Sequence, residues 1–307
     1  MAATSGLEYN ETEALFYYQY ARVSYCTKKH ILSWDCGDMC NSAAIVPGAV
    51  RFTEDKQWVF QGYVSRTSPS ADGKCVAAFR GLVTVWGLEQ EALALLMVPW
   101  YALTSWCRGC AVSAALASMW ANLREGILAG IRELQCQQVA FTGHSYGGAL
   151  AAMAFLDIHH TLGLSVGPVY SFGMPRPGNQ QFADAYVRVA EKQGVSPPMW
   201  RLVHYLDPVP RMIARFPQIL GEFTHIPLEV YYTDRMNVHW KVCPAAGMQE
   251  NETCSYAVPL GRCSPSGSLD YHFDHELYLN TTIGGYWLRN TTCQWYPGKP
   301  AATVLLM

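Results

Sequence analysis

The sequence predicts an α/β protein: a largely parallel sheet with helices on both faces. Half of its 307 residues are hydrophobic and only 15% are charged, enough apolar surface for a large buried core. Short apolar runs alternate with stretches of helical periodicity through the middle of the chain, the pattern of strands joined by crossover helices. The stretch FTGHSYGGALAAMAFL at 141–156 opens as a strand, turns on glycines and continues as an apolar helix.

Taken in order, residues 11–25 read as an aromatic-rich opening helix, followed by strand-like runs at Trp58–Val64 and Cys75–Phe79. Val112, Leu116, Met119, Leu123, Ile127, Ile131 and Leu134 recur at helical spacing and mark a long helix with a core-facing stripe. Gln138–Thr142 is a short buried strand leading into the turn. Gly148, Ala149, Ala151 and Ala152 are small enough for the following helix to pack closely on that strand. A strand at Val169–Phe172, a helix at Asn179–Lys192 and a strand at Trp200–Leu206 complete the alternation. The C-terminal third is rich in loops, cysteines and prolines. With no repeats, low-complexity tracts or clear linker, the expectation is one domain over residues 1–307.

Net charge is −2 with no basic block, which argues against a nucleic-acid partner. The longest apolar run, Ala92 to Leu103, is too short for a transmembrane segment. The first residues lack a basic stretch followed by an apolar core. Asn10, Asn251, Asn280 and Asn290 all head N-glycosylation sequons, and eleven cysteines suit an oxidising compartment. The expectation is a secreted or luminal chain, present without its leader. Cys36 with Cys40 and Cys107 with Cys110 are local disulfide candidates, and two of Cys243, Cys254 and Cys263 are expected to close a loop. No cysteine and histidine set has zinc spacing, so no metal is expected.

Gly143-x-Ser145-x-Gly147 matches the nucleophile elbow, in which a tight strand-to-helix turn exposes a serine above the sheet. Serine is a weak nucleophile and needs a histidine base held by a carboxylate, here expected in the order Ser, Asp, His. Asp207 follows the strand WRLVHYL and precedes Pro208, which puts it at the same sheet edge as the elbow. Asp157 and Asp184 lie on helices and read as solvated charges, and Asp234 as a turn residue. His204, His225, His239, His272 and His275 all follow the elbow, and spacing alone does not choose between His272 and His275.

The motifs together resemble the class 3 (fungal-type) lipase family. AFRGL at 78–82 is similar to that family's oxyanion loop and TGHSYGGALA to its elbow. SFGMPRPGN at 171–179, RLVHYLDPVPRM at 201–212, FTHIPLEVYY at 223–232 and DHELYL at 274–279 follow in family order. The resemblance implies an α/β-hydrolase-type fold with a helical lid, and Ser145 as nucleophile, Asp207 as acid and His275 as base. Tyr278, three places after His275, fits the family pattern and favours that histidine. The backbone N–H groups of Leu82 and Tyr146 are implied as the oxyanion hole, and Cys26 and Cys293 as a pair joining the chain ends. The chain departs from the pattern in three places: Leu82 stands for the usual Thr or Ser, Tyr146 for the usual Leu, and WCRGC at 106–110 for V-H-x-G-F.

The implied activity is hydrolysis of lipid esters, with triacylglycerol first. Phospholipase A1 or feruloyl-type esterase action is the alternative within the family, and a catalytically silent lipid binder the alternative outside it. The chain is expected to work as a monomer at a lipid–water interface without a cofactor. A lid is expected over about residues 83–103, with the stretch 88–103 helical. Leu93, Leu96, Met97 and Trp100 would share one face of that helix, with Leu88 and Leu95 beside it.

Overall fold

The computed structural model describes residues 8–55, 60–68, 73–82, 93–100, 107–213, 218–244, 250–259 and 274–283. Among the described residues eight strands form the central sheet, named here in the order in which they lie side by side. They are β1 (Ile45–Asp55), β2 (Phe60–Thr67), β3 (Lys74–Phe79), β6 (Gln138–His144), β7 (Ser165–Phe172), β8 (Trp200–His204), β9 (Glu229–Tyr232) and β10 (Trp240–Cys243). β3, β6, β7, β8 and β9 run parallel, while β1, β2 and β10 add antiparallel edges. Sequence patterning had not marked β1. Its faces mix buried and exposed positions without a clean alternation, which leaves little period-2 signal.

Each sheet face is covered by helices, and the pleat sends alternate residues to opposite layers. On one side, Cys75, Ala77, Phe79, Val139 and Phe141 pack with the helices Ala114–Glu133, Tyr146–Leu162 and Gln180–Lys192. On the other, Val76, Ala78 and Ala140 meet Tyr20, Val23 and Ile31. There Tyr18, Tyr170 and Phe172 also share a cluster, and Tyr17 stacks on Tyr170 at 4.8 Å. The opening helix is Glu11–Val23. Its N-cap Asn10 accepts from the Glu13 N–H at 3.1 Å, the side chain of a sequon asparagine thus closing a helix end.

The solvated reading of Asp157 is overturned. It is buried and accepts from Trp120 Nε1 (2.7 Å), Arg124 Nε (2.6 Å) and Thr161 Oγ1 (2.6 Å), pinning two helices together. Cys36–Cys40, Cys107–Cys110 and Cys243–Cys254 are disulfides, and so is Cys75–Cys136, a pair that the sequence reading did not propose. Cys26 is disulfide-bonded, while Cys263 and Cys293 lie outside the described residues.

The segment expected as a helix is different. Residues 93–95 are helical, and Met97–Pro99 is a strand (β4) paired antiparallel with β5, Ala111–Ser113. The predicted helical face is therefore split. Met97 and Trp100 are buried, Leu93 is partly buried against the main core, and Leu95 and Leu96 are 42% and 51% exposed. Pro99 and the partner strand at Ala111–Ser113 favour extended backbone here over the period-3.6 reading. Leu88 and residues 101–103 lie outside the described residues.

Candidate active site

The parallel strands bring their C-terminal ends to one edge, where ligand sites of such sheets gather. β3 ends into Arg80-Gly81-Leu82, β6 into Ser145, β7 into Gly173 and β8 into Asp207. The strand registers pair Phe79 with Gly143 and His144 with Phe172, so these ends lie side by side.

Ser145 sits between β6 and the helix Tyr146–Leu162 at φ 58°, ψ −133°, a conformation costly for a residue with a side chain. Its N–H donates to the Phe172 carbonyl at 2.8 Å, and its carbonyl accepts from Gly148 N–H at 2.9 Å. The flanking glycines are required by close approach. A Cβ on Gly143 would run into the backbone of Gly147, and a Cβ on Gly147 into that of Phe79. A Cβ on Gly81 would come within 2.7 Å of Ser145 Cβ, so the loop carrying Leu82 lies directly beside the serine. Tyr146 is the first residue of its helix, and first-turn N–H groups have no intrahelical acceptor.

Asp207 is buried and well engaged. His275 Nδ1 lies 3.0 Å from its Oδ1 and 2.9 Å from its Oδ2. Val209 N–H donates to Oδ1 at 2.9 Å and the Tyr278 hydroxyl to Oδ2 at 2.5 Å. Tyr278 in turn accepts from the His204 N–H at 3.2 Å. The loop after Asp207 is clamped by Arg176, which donates to the carbonyls of Ile213 (2.5 Å) and Arg211 (3.4 Å) while pairing with Glu250 through both carboxylate oxygens (2.6 and 2.7 Å). Ahead of His275, Asp274 pairs with Arg235 at 3.1 Å, and its carbonyl accepts from His204 Nδ1 at 2.8 Å.

Of the other histidines, His225 is buried with Nε2 on the Pro210 carbonyl, and burial holds its pKa well below the ordinary value. His239 is exposed beside Asp234, whose oxygens cap the turn Met236–His239. His272 lies outside the described residues. Glu229, Cys243 and Cys254 converge as a conceivable metal cluster. The two cysteines are joined to each other and Glu229 is engaged by Arg201 and Ser255, so the trio offers no free thiolate.

Sequence reasoning brought Ser145, Asp207 and His275 to one edge. It missed the side chains that hold them, because Tyr278 figured only as a pattern marker and Arg176 only as a motif letter.

A sequence model of the family described as lipase (class 3) matches residues 76–216. A secreted mono- and diacylglycerol lipase of Malassezia restricta is 30% identical over 201 residues, which cover 64% of this chain and 61% of that protein. Lipase II from Rhizopus niveus superposes with a TM-score of 0.67 at 23% identity, over 89% of this chain and 96% of its own. A triacylglycerol lipase whose catalytic centre is a serine-protease triad superposes at 0.65 and 23% identity, over 92% and 98%. The fold is that of the α/β hydrolases. Residues 76–216 are thus similar to the class 3 lipases, and the chain spans about six tenths of the length of the curated relatives it matches. Among the described residues no helix is long and apolar enough to cross a membrane.

Proposed function

We propose that the chain is a lipid-ester hydrolase with Ser145 as nucleophile, His275 as general base and Asp207 as the carboxylate that orients it. The observation that carries the reading is the Asp207–His275 contact at 2.9–3.0 Å on the sheet edge that presents Ser145 at φ 58°. In this reading Ser145 Oγ attacks the ester carbonyl as His275 takes its proton. Asp207, bonded at Nδ1, fixes the tautomer that leaves Nε2 free to accept that proton, and it stabilises the resulting cation. The tetrahedral oxyanion is held by the N–H groups of Leu82 and Tyr146, each donor worth ~3 kcal/mol. His275 then protonates the leaving alcohol, and water attacks the acyl-enzyme by the same route in reverse.

The loss of a hydroxyl at Leu82 leaves the two backbone donors, which lowers turnover without removing the chemistry. A silent lipid binder would need neither a strained serine nor a carboxylate with three donors. Acylglycerols are the favoured substrates. Triacylglycerol is the expectation from the motifs, and the names of the similar curated relatives put mono- and diacylglycerols beside it. The chain acts as one catalytic domain in a secreted or luminal setting, with Cys26–Cys293 joining its ends, Asn10, Asn251, Asn280 and Asn290 as glycan acceptors, and a lid within residues 83–103 over the site.

The test compares wild type with Ser145→Ala on emulsified triacylglycerol, diacylglycerol, phosphatidylcholine, a feruloyl ester and a soluble short-chain ester. Acylglycerol hydrolysis and fluorophosphonate labelling should both vanish in the variant. Phosphatidylcholine or the feruloyl ester as the fastest substrate would change the substrate class. Wild-type protein that neither labels nor hydrolyses any of the five is a binder.

A further inference from the structure

We propose that Tyr25 and His144 form a hydrogen-bonded brace that fixes the distance between the oxyanion loop and the backbone of His275, making both positioning residues for the reaction at Ser145. The proposal rests on reading Ser145, Asp207 and His275 as a hydrolase site.

The brace is a single chain of three bonds. Gly81 N–H donates to the Tyr25 hydroxyl at 3.1 Å, that hydroxyl meets His144 Nδ1 at 2.7 Å, and His144 Nε2 meets the His275 carbonyl at 2.8 Å. One proton assignment satisfies every member. A carbonyl can only accept, so His144 carries its proton on Nε2 and leaves Nδ1 bare. The Tyr25 hydroxyl must then donate to Nδ1, which leaves its lone pair for the Gly81 N–H. A protonated His144 would set Nδ1–H against the hydroxyl hydrogen and break the chain. Burial, and then the neighbouring His275, hold the His144 pKa well below its ordinary value and so keep the ring neutral.

The brace is anchored at its far end. Gln61 Nε2 donates to the carbonyls of Ser24 (2.6 Å) and Cys26 (2.8 Å), the residues on either side of Tyr25, and Cys26 is itself disulfide-bonded. The Gln61 carbonyl accepts from Arg80 N–H at 3.0 Å, so the same residue of β2 supports both the Tyr25 turn and the start of the oxyanion loop. There is little slack. A Cβ on Gly81 would lie 2.6 Å from the Tyr25 hydroxyl, and the rings of His144 and His275 stand 4.4 Å apart. Loop, nucleophile and base therefore meet through groups that are buried and fully bonded, the kind of support that keeps reacting groups aligned. His144 precedes the nucleophile in sequence, so its ring also ties the elbow to the histidine loop.

The test uses a soluble short-chain ester and counts competent sites by fluorophosphonate titration, so that kcat refers to folded, reactive serine. Tyr25→Phe should lower kcat roughly 10-fold with KM unchanged, the loss of about one such bond, and should weaken inhibition by an alkylboronic acid by a similar factor. His144→Leu should behave alike. His144→Gln should stay within about 3-fold of wild type, because an amide N–H can donate to the His275 carbonyl while the amide oxygen accepts from Tyr25. If Tyr25→Phe does not fold, the two His144 variants decide between themselves. Wild-type kcat and boronate affinity in Tyr25→Phe or His144→Leu, equal losses in the Gln and Leu variants, or a change confined to KM or thermal stability would each overturn the brace. An absence of Ser145-dependent hydrolysis in wild type would overturn the hydrolase reading itself.

Discussion

Asp207 receives donors from Val209 N–H, the His275 ring and the Tyr278 hydroxyl, so both of its carboxylate oxygens are held in place by hydrogen bonds. The Tyr278 bond is charge-assisted and buried, and such bonds contribute about 1.5–3 kcal/mol. Tyr278→Phe should therefore lower kcat by about 10-fold or more on a soluble ester and leave KM near wild type; unchanged kcat would make the hydroxyl dispensable. Glu276 directly follows His275. Its Oε2 is buried with no hydrogen-bond partner among the described residues, and burial pushes its pKa up to about 7 against an opposing pull from His275. The folded chain then holds a proton that the unfolded chain has already released, so this group favours the fold at pH below its ordinary value near 4.5 and weakens it as pH rises through about 7. Thermal melts from pH 5 to pH 8 should show a smaller loss of Tm in Glu276→Gln than in wild type. An equal loss in both would assign the pH dependence elsewhere.

At the scale of elements, the elbow was legible because its requirements are local: an apolar strand, small residues at the turn, and small residues on the next helix. The stretch 93–97 was not, since the apolar residues of LALLM satisfy helical and extended packing alike. Tertiary partners chose the strand. Met97 joins Ala111, Ile213 and Phe223 in a small buried cluster. Gln218 closes the other side, accepting from Met97 N–H at 3.2 Å and donating to the Leu95 carbonyl at 2.9 Å. Leu95 and Leu96 are left facing solvent, which is unfavourable unless an apolar surface covers them in use, each buried CH₂ being worth ~0.8 kcal/mol. Leu95→Ser with Leu96→Ser should cut hydrolysis of an emulsion at least several-fold more than hydrolysis of a soluble ester, with little change in Tm. Equal losses on both substrates would remove these leucines from any role at an interface.

Across the whole molecule, Cys75–Cys136 ties the start of β3 to the residues just before β6, two neighbouring parallel strands that lead into Gly81-Leu82 and Ser145 at their other ends. It closes a loop of 61 residues, for which chain entropy gives about 4 kcal/mol. Cys75→Ser with Cys136→Ser should lower Tm by several degrees while kcat, read at a temperature where the variant is folded, stays near wild type. A comparable fall in kcat would mean that the bond also sets the site geometry. Arg176–Glu250 and Arg201–Glu229 are buried ion pairs on the Asp207 side of the sheet, each joining segments far apart in sequence.

The sequence alone carried the α/β class, the order of the main elements and the expectation that Ser145 and Asp207 share one sheet edge, because strand and helix periodicity and turn glycines are written in short stretches of chain; the choice of His275 came from the resemblance. It had also carried the local cysteine pairs, whose partners lie within a dozen residues. Only the tertiary structure decided that Met97–Pro99 is a strand, that Asp157 is a buried joint, that Cys75 meets Cys136, and that Tyr25, Gln61 and Tyr278 stand behind the site. In each case the deciding partner is remote in sequence: Ala111–Ser113 for the strand, Arg124 for Asp157, His144 for Tyr25, Asp207 for Tyr278. Hydrogen bonds and disulfides formed across such separations leave no periodicity for a window of sequence to detect.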